Sequence, residues 1–286
     1  MPDSKTDALD ELTAVAPSGG LIFHYTSQQG LLGIIKDKAL WLSSIRHLSD
    51  AKEFGYAVEL ARSKLNHRLQ AERGPWNGYY GKVLERLDAI DAIQDLVLFV
   101  GSFSETADLL SQWRAYAPSG GGFSIGFEHE YLKTMANKQG LRIMKCIYDL
   151  REHEAILENL INRAGTLVKN GECEQAVAGF FVGLLRVAPA LKDASFYEER
   201  EWRVVSDVLN PSDAKPKFRV GKSMLIPYQE FKLAAGGQKM SVSRIIVGPT
   251  PHMSLSISSL AYLLSTSTNV DQTYSIEHSR VPYRSW

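Results

Sequence analysis

The sequence predicts a single α+β domain. Short strand-like apolar runs and helix-like apolar stripes both recur along the chain, they do not keep the strict β-α alternation of a doubly wound sheet, and no linker divides them into two cores. With 286 residues, 44% hydrophobic and 22% charged, there is ample material for one large core. Basic and acidic residues both number 32, so an extended nucleic-acid footprint is not indicated, while a local basic groove stays open. Cys146 and Cys173 are far apart and lack metal-ligand company, which points to a reducing compartment and to neither a disulfide framework nor a zinc site. No uninterrupted apolar run reaches the roughly 18 residues of a membrane span. Residues 1–20 read as a loose, acidic arm without signal-peptide features, carrying one short helix over Asp7 to Val15, so the expected location is the cytoplasm.

The domain itself runs from residue 21 to 286, with helical insertions at about 53–95 and about 150–192. Leu21 to Thr26 is a short apolar strand, Ser27 a helix cap, and Leu31, Leu32, Ile34 and Ile35 the stripe of a helix ending near Lys38. A strand follows at Leu40 to Leu42. Asp50 and Glu53 have capping-box spacing for a helix that continues towards Gln70, and a turn at Gly74-Pro75 precedes another helix from Tyr79 to Ile93. Leu96 to Ser104 is the clearest buried strand. Leu109 to Tyr116 reads as a helix, and Ser119 to Gly122 is either a flexible turn or, more weakly, a phosphate-cradling loop. Strands are expected at Phe123 to Phe127 and Leu141 to Tyr148, and helices over Glu152 to Lys169 and Cys173 to Val187, with Phe180 and Phe181 as core. Further strands fall at Phe218 to Val220, Met224 to Tyr228, Arg244 to Val247 and Tyr274 to Glu277, with a helix over Ser254 to Leu264.

One stretch stands apart, Phe196 to Val205. Read as a strand, it places Glu199, Glu201 and Arg203 on one face, an acid-acid-base row that either holds a polar ligand or is a solvated edge with local ion pairing. Flanking Phe196, Tyr197, Trp202, Val204 and Val205 favour a packed strand. His24 ends the first strand just before a helix start, where it is either structural or ligand-facing. Ser102 and Ser104 project together from the middle strand.

The chain resembles the bacterial family catalogued as domain of unknown function 2971. The blocks that carry the resemblance are His24-Tyr25-Thr26, Leu48-Ser49-Asp50 with Glu53, Ser102-Phe103-Ser104, Gln112 to Tyr116, Gly122 to Phe127, Glu199 to Arg203 and Val281 to Arg284. More distantly, the order of a histidine, a Ser-x-Ser strand and a late Glu-x-Glu is similar to the three-part layout of ADP-ribosyltransferases. That likeness implies a split mixed sheet flanked by helices, NAD as co-substrate and a protein or nucleic-acid acceptor. Bacterial activities of this kind often belong to toxins or phage defence, with a cognate antitoxin or defence partner. It assigns Glu201 as the catalytic carboxylate, Glu199 as base or acceptor-orienting group, and His24 to the ribose or amide. Tyr25, Thr26, Ser102 and Ser104 would line the pocket, Trp113 or Tyr116 would stack on a ring, and Arg46 or Arg203 would meet the pyrophosphate. Two other readings stand beside it. One is a non-catalytic module for a nucleotide or nucleic-acid end, motivated by Trp113, Arg114 and Tyr116. The other is a metal-dependent nuclease or hydrolase using Asp50, Glu53, Glu199 and Glu201, whose spacing is not diagnostic.

Overall fold

A computed structural model describes residues 15–48, 53–89, 97–117, 121–209, 214–221 and 223–282. The expected helix at Asp7 to Val15 except Val15 itself, the Asp50 cap, and Ser119 and Gly120 of the Ser119 to Gly122 loop lie outside them. Strand β1 (Leu21–Ser27) passes directly into helix α1 (Gln28–Asp37), because the Ser27 hydroxyl accepts from the Gly30 N–H at 3.1 Å and satisfies a donor of the first turn. Ser27→Ala is expected to cost about 1 kcal/mol, measurable by urea denaturation. Lys38, in the left-handed region at φ 47°, ends the helix and turns the chain into β2 (Ala39–Ser44).

Helices α2 (Glu53–Ala71) and α3 (Pro75–Asp88) follow, the second starting on Pro75, whose missing N–H costs nothing at a first turn. Next come β3 (Phe99–Ser104), α4 (Leu110–Tyr116), β4 (Gly122–Glu128), α5 (His129–Asn137) and β5 (Arg142–Lys145). Helices α6 (Leu150–Arg163), α7 (Gly165–Lys169) and α8 (Cys173–Val187) then lead through the 3₁₀ turn Ala188–Ala190 to β6 (Glu201–Val205). The chain closes with β7 (Lys217–Val220), β8 (Leu225–Lys232), β9 (Arg244–Val247), α9 (Met253–Thr266) and β10 (Ser275–His278).

Among the described residues ten strands join one mixed sheet, in which β10 and β9 are parallel and the other pairs antiparallel. The path runs β10-β9-β4-β1-β3-β2-β8-β7 and branches at β3. One edge of β3 is filled by β6 from Val100 to Ser104; the other is shared, β2 pairing with Phe99 and Val100 and β1 with Ser104 alone. Between those two contacts β1 and β2 diverge, so the sheet is split at β3.

Helices cover both faces. Ile22, Phe103, Ile125, Phe127, Trp202 and Val204 pack under α1, α5 and α9. On the opposite face Val100, Met144 and Val205 meet α2, α3, α6 and α8, so the two insertions, distant in sequence, form one helical layer. Phe180 and Phe181 are 2% and 7% exposed in that layer, each worth roughly 2 kcal/mol of burial. Among the described residues, Cys173–Ala190 is the segment whose length and hydropathy suit a membrane span, but half of it is buried in this layer. A third, smaller cluster of Phe23, Tyr25, Trp113, Ala117 and Ile246 lies under α4.

Candidate functional site

Register and alternation decide which side chains can meet. Glu201 pairs with Ser104 and Arg203 with Ser102, so these four share a face, while Trp202 and Phe103 share the other. Phe23 pairs with Ser104 and therefore lies on the Glu201 face together with Tyr25. His24 and Thr26 fall on the opposite face. The His24 ring accordingly stands 5.6 Å from that of Phe103. His24 and Glu201, assigned together to one NAD pocket, thus lie on opposite faces of the sheet, for the period-2 reason that made the Glu-x-Glu motif visible at all.

His24 instead occupies the split, where its Nδ1 lies 3.0 Å from the Ser102 carbonyl. A carbonyl only accepts, so Nδ1 carries the hydrogen. Burial lowers the His24 pKa, with the Ser102 bond opposing, and the neutral ring keeps Nε2 as an acceptor.

A four-charge cluster surrounds Glu201. Arg203 grips it in bidentate fashion, Nε to Oε1 at 2.9 Å and Nη2 to Oε2 at 2.8 Å, while Arg203 Nη1 donates to the Pro189 carbonyl at 2.9 Å. Lys192 donates to Oε2 of both Glu201 and Glu199, each at 2.6 Å. The Cys146 thiol lies 3.7 Å from Glu201 Oε2, and the Glu201 backbone N–H donates to the Tyr148 hydroxyl at 2.9 Å. Burial would raise the Glu201 pKa, but Arg203 and then Lys192 outweigh it and hold the carboxyl at about 2. The side chain of Glu201 is 5% exposed; that of Glu199 is 22% exposed.

Glu199 is not on the strand. It ends the 3₁₀ turn Ala194–Glu199, and Arg200, left-handed at φ 42°, separates it from β6. The predicted acid-acid-base row is therefore Glu201 and Arg203 alone, with Glu199 brought back beside them by Lys192. Sequence reasoning missed this lysine; the available signal was a charge directly after the apolar run Val187 to Leu191.

Several predicted ligand contacts are structural. Arg203, 1% exposed and spent on Glu201 and Pro189, does not face a pyrophosphate. Trp113 is 1% exposed, donates from Nε1 to Asp108 Oδ1 at 2.7 Å and meets Tyr25 edge-on at 4.7 Å, so it cannot stack on a ligand ring. Tyr25 is buried, donating to the Thr106 carbonyl and accepting from the Leu109 N–H. Ser104 is buried too, donating to the Glu199 carbonyl at 2.6 Å and accepting from the Thr106 N–H. Thr26 packs against Gly30 in the first turn of α1. Arg46 sits in the 3₁₀ turn Ile45–His47 after β2.

Ser102 stays partly exposed, and Tyr116 is 42% exposed beside the acids. Desolvation, then the charges of Glu201 and Glu199, push the Tyr116 phenol up to about 12 against the opposing pull of Lys192 and Arg203. It therefore stays protonated and can donate. Among the described residues no group of three or more His, Cys, Asp or Glu is placed to hold a metal ion, and Lys192 occupies Glu199 and Glu201; Asp50 lies outside the described residues.

Helix α4 and β6, which carry Tyr116 and Glu201, lie at the two ends of a stretch that matches a known family. Residues 112–204 match the family described as protein of unknown function (DUF2971). That match holds Tyr116, Cys146, Tyr148, Lys192, Glu199, Glu201 and Arg203, and leaves His24, Ser102 and Ser104 outside. Comparison with curated proteins and with solved structures found no match.

Proposed function

We propose that this protein is an NAD-dependent ADP-ribosyltransferase or NAD glycohydrolase acting at the Glu199 carboxylate, beside β3 and β6. The observation that supports it best is the meeting of three segments far apart in sequence. β1, β3 and β6 are neighbours, with Ser104 bonded to the Glu199 carbonyl on the Glu201 face and His24 bonded to the Ser102 carbonyl from the other face. Glu199 takes the role first given to Glu201, because it is the more accessible carboxylate while Glu201 is enclosed by cations. As the bond from ribose C1′ to nicotinamide breaks, its electron pair leaves with the ring and positive charge grows on the sugar. A fixed carboxylate at Glu199 favours that charge, and water or a macromolecular nucleophile completes the substitution at C1′. Tyr116 offers a hydroxyl donor and an aromatic surface, and the Lys192-Glu201-Arg203 cluster positions Glu199.

Incubating the protein with NAD and quantifying free nicotinamide by chromatography tests this. Wild type is expected to release nicotinamide, alone or with a protein or nucleic-acid acceptor. Glu199→Gln is expected to release it about a hundredfold more slowly at an unchanged melting temperature. Absence of release under every acceptor condition sinks the proposal. A second reading, a module that binds a nucleotide or nucleic-acid end without chemistry, is favoured by one observation: Glu201 is already matched by two cations. Thermal stabilisation by nucleotides or oligonucleotides, with NAD left intact, would select it.

A further inference from the structure

The hairpin of β7 and β8 closes one end of the sheet, and among the described residues no strand lies beyond β7. Gly221 N–H donates to the Met224 carbonyl at 2.9 Å, which fixes that rung as hydrogen-bonded. Antiparallel rungs alternate, so Arg219 with Ile226 and Lys217 with Tyr228 are hydrogen-bonded pairs, and Val220 with Leu225 and Phe218 with Pro227 are not. Pro227, which has no N–H to give, suits such a rung. The N–H and C=O groups of Phe218 and Val220 consequently point to the open edge.

The side chains are sorted as well. Phe218, Val220 and Leu225 share one face and are 60%, 85% and 64% exposed. Lys217 and Arg219 share the other. Between Ala214 and Gln229 the sequence has no acid, but has Lys215, Lys217, Arg219 and Lys222. Glu230 is shared by Lys217 and Lys232, each at 2.8 Å, and Arg219 donates to the Ser43 hydroxyl at 3.1 Å, so these cations are held in place while the stretch keeps a surplus of cations over acids. A second copy is a poor occupant, since the two antiparallel registers that overlap β7 most, Phe218 opposite Phe218 and Phe218 opposite Val220, set Lys217 opposite Arg219 and Arg219 opposite itself. A bilayer is poor too, because it leaves the outward N–H and C=O groups without partners.

We propose that β7 is a docking edge for an extended segment of a partner protein that alternates acidic with apolar residues and adds to the sheet as an eleventh strand. Lysines on an edge guard against self-pairing, and here they also set the sign of the partner.

The test is fluorescence anisotropy on the full chain, using a labelled, end-blocked heptapeptide that alternates glutamate and valine. A block-ordered peptide of the same composition, a lysine-valine counterpart and phosphatidylserine vesicles serve as the other probes. Wild type should bind the alternating acidic peptide at least about tenfold more tightly than the block-ordered one. Lys217→Glu with Arg219→Glu should reverse the preference to the lysine peptide. If that variant lacks a thermal transition, Lys217→Gln with Arg219→Gln replaces it and should weaken acidic-peptide binding about tenfold. Equal binding of both acidic peptides, binding to vesicles alone, or no binding up to about 1 mM overturns the proposal.

Discussion

Replacing Glu201 by alanine should lower the unfolding free energy by about 3 to 5 kcal/mol, read from urea denaturation at neutral pH. The loss comes less from the ion pairs themselves than from what is left behind. Arg203 is 1% exposed and would keep a guanidinium in the interior, bonded to the Pro189 carbonyl but without the carboxylate that balances its charge bidentately. Lys192 retains Glu199. Replacing Glu201 and Arg203 together by methionine should therefore recover much of the loss, as expected when a buried pair is exchanged for apolar volume. The acid limb gives an independent check. The Glu201 pKa falls from 4.5 to about 2 on folding, so its contribution is complete above pH 4.5 and is lost as the pH drops through about 2. Glu201→Gln removes that dependence, and its deficit relative to wild type should shrink on acidification.

Trp113→Ala should cost a similar 3 to 5 kcal/mol, roughly, by opening a cavity under α4. The indole is packed against Tyr25, and the Gly248 backbone lies so close that a Cβ there would come within 2.8 Å of the ring. Asp108 also accepts from Ser279 Oγ at 2.6 Å and from the Arg280 N–H at 2.7 Å, so the tryptophan helps to fix the acid that ties down the C-terminal strand's exit. Trp113→Phe, which keeps most of the volume but not the donor, should lose only about 1 to 2 kcal/mol. Limited proteolysis after Ser279 should accelerate in the alanine variant under denaturant-free, neutral conditions where the far-ultraviolet circular dichroism is still native.

Local signals were legible where local physics decides. Ser27 caps because its hydroxyl finds an N–H three residues on, and Arg244–Val247 is a strand with the bounds its apolar run implies. The Glu201 and Arg203 pairing was likewise visible as a one-face spacing. Two things were not. The left-handed turn at Arg200 removed Glu199 from the alternation, and nothing in Glu-Glu-Arg-Glu announces a positive φ. Which face of β1 meets which face of β3 depends on the register between residues about 80 positions apart, and that single rung put His24 against Phe103. Asp108 was hidden for the same reason, since it is tied to Ser279 171 positions away, whereas Lys192 meets acids only seven and nine positions on and was hidden because the turn that folds Glu199 back beside it was.

The shared helical layer has a consequence for biogenesis. Translation delivers Glu53–Asp88 first, yet the helix that shields its apolar side begins at Cys173, 85 positions after Asp88. At 5 to 20 residues per second, roughly 4 to 17 s pass before that shield starts to be made. Once past the exit tunnel, Tyr79, Val83 and Leu87 wait out the rest of that interval without the helix that covers them in the folded layer, within reach of a chaperone.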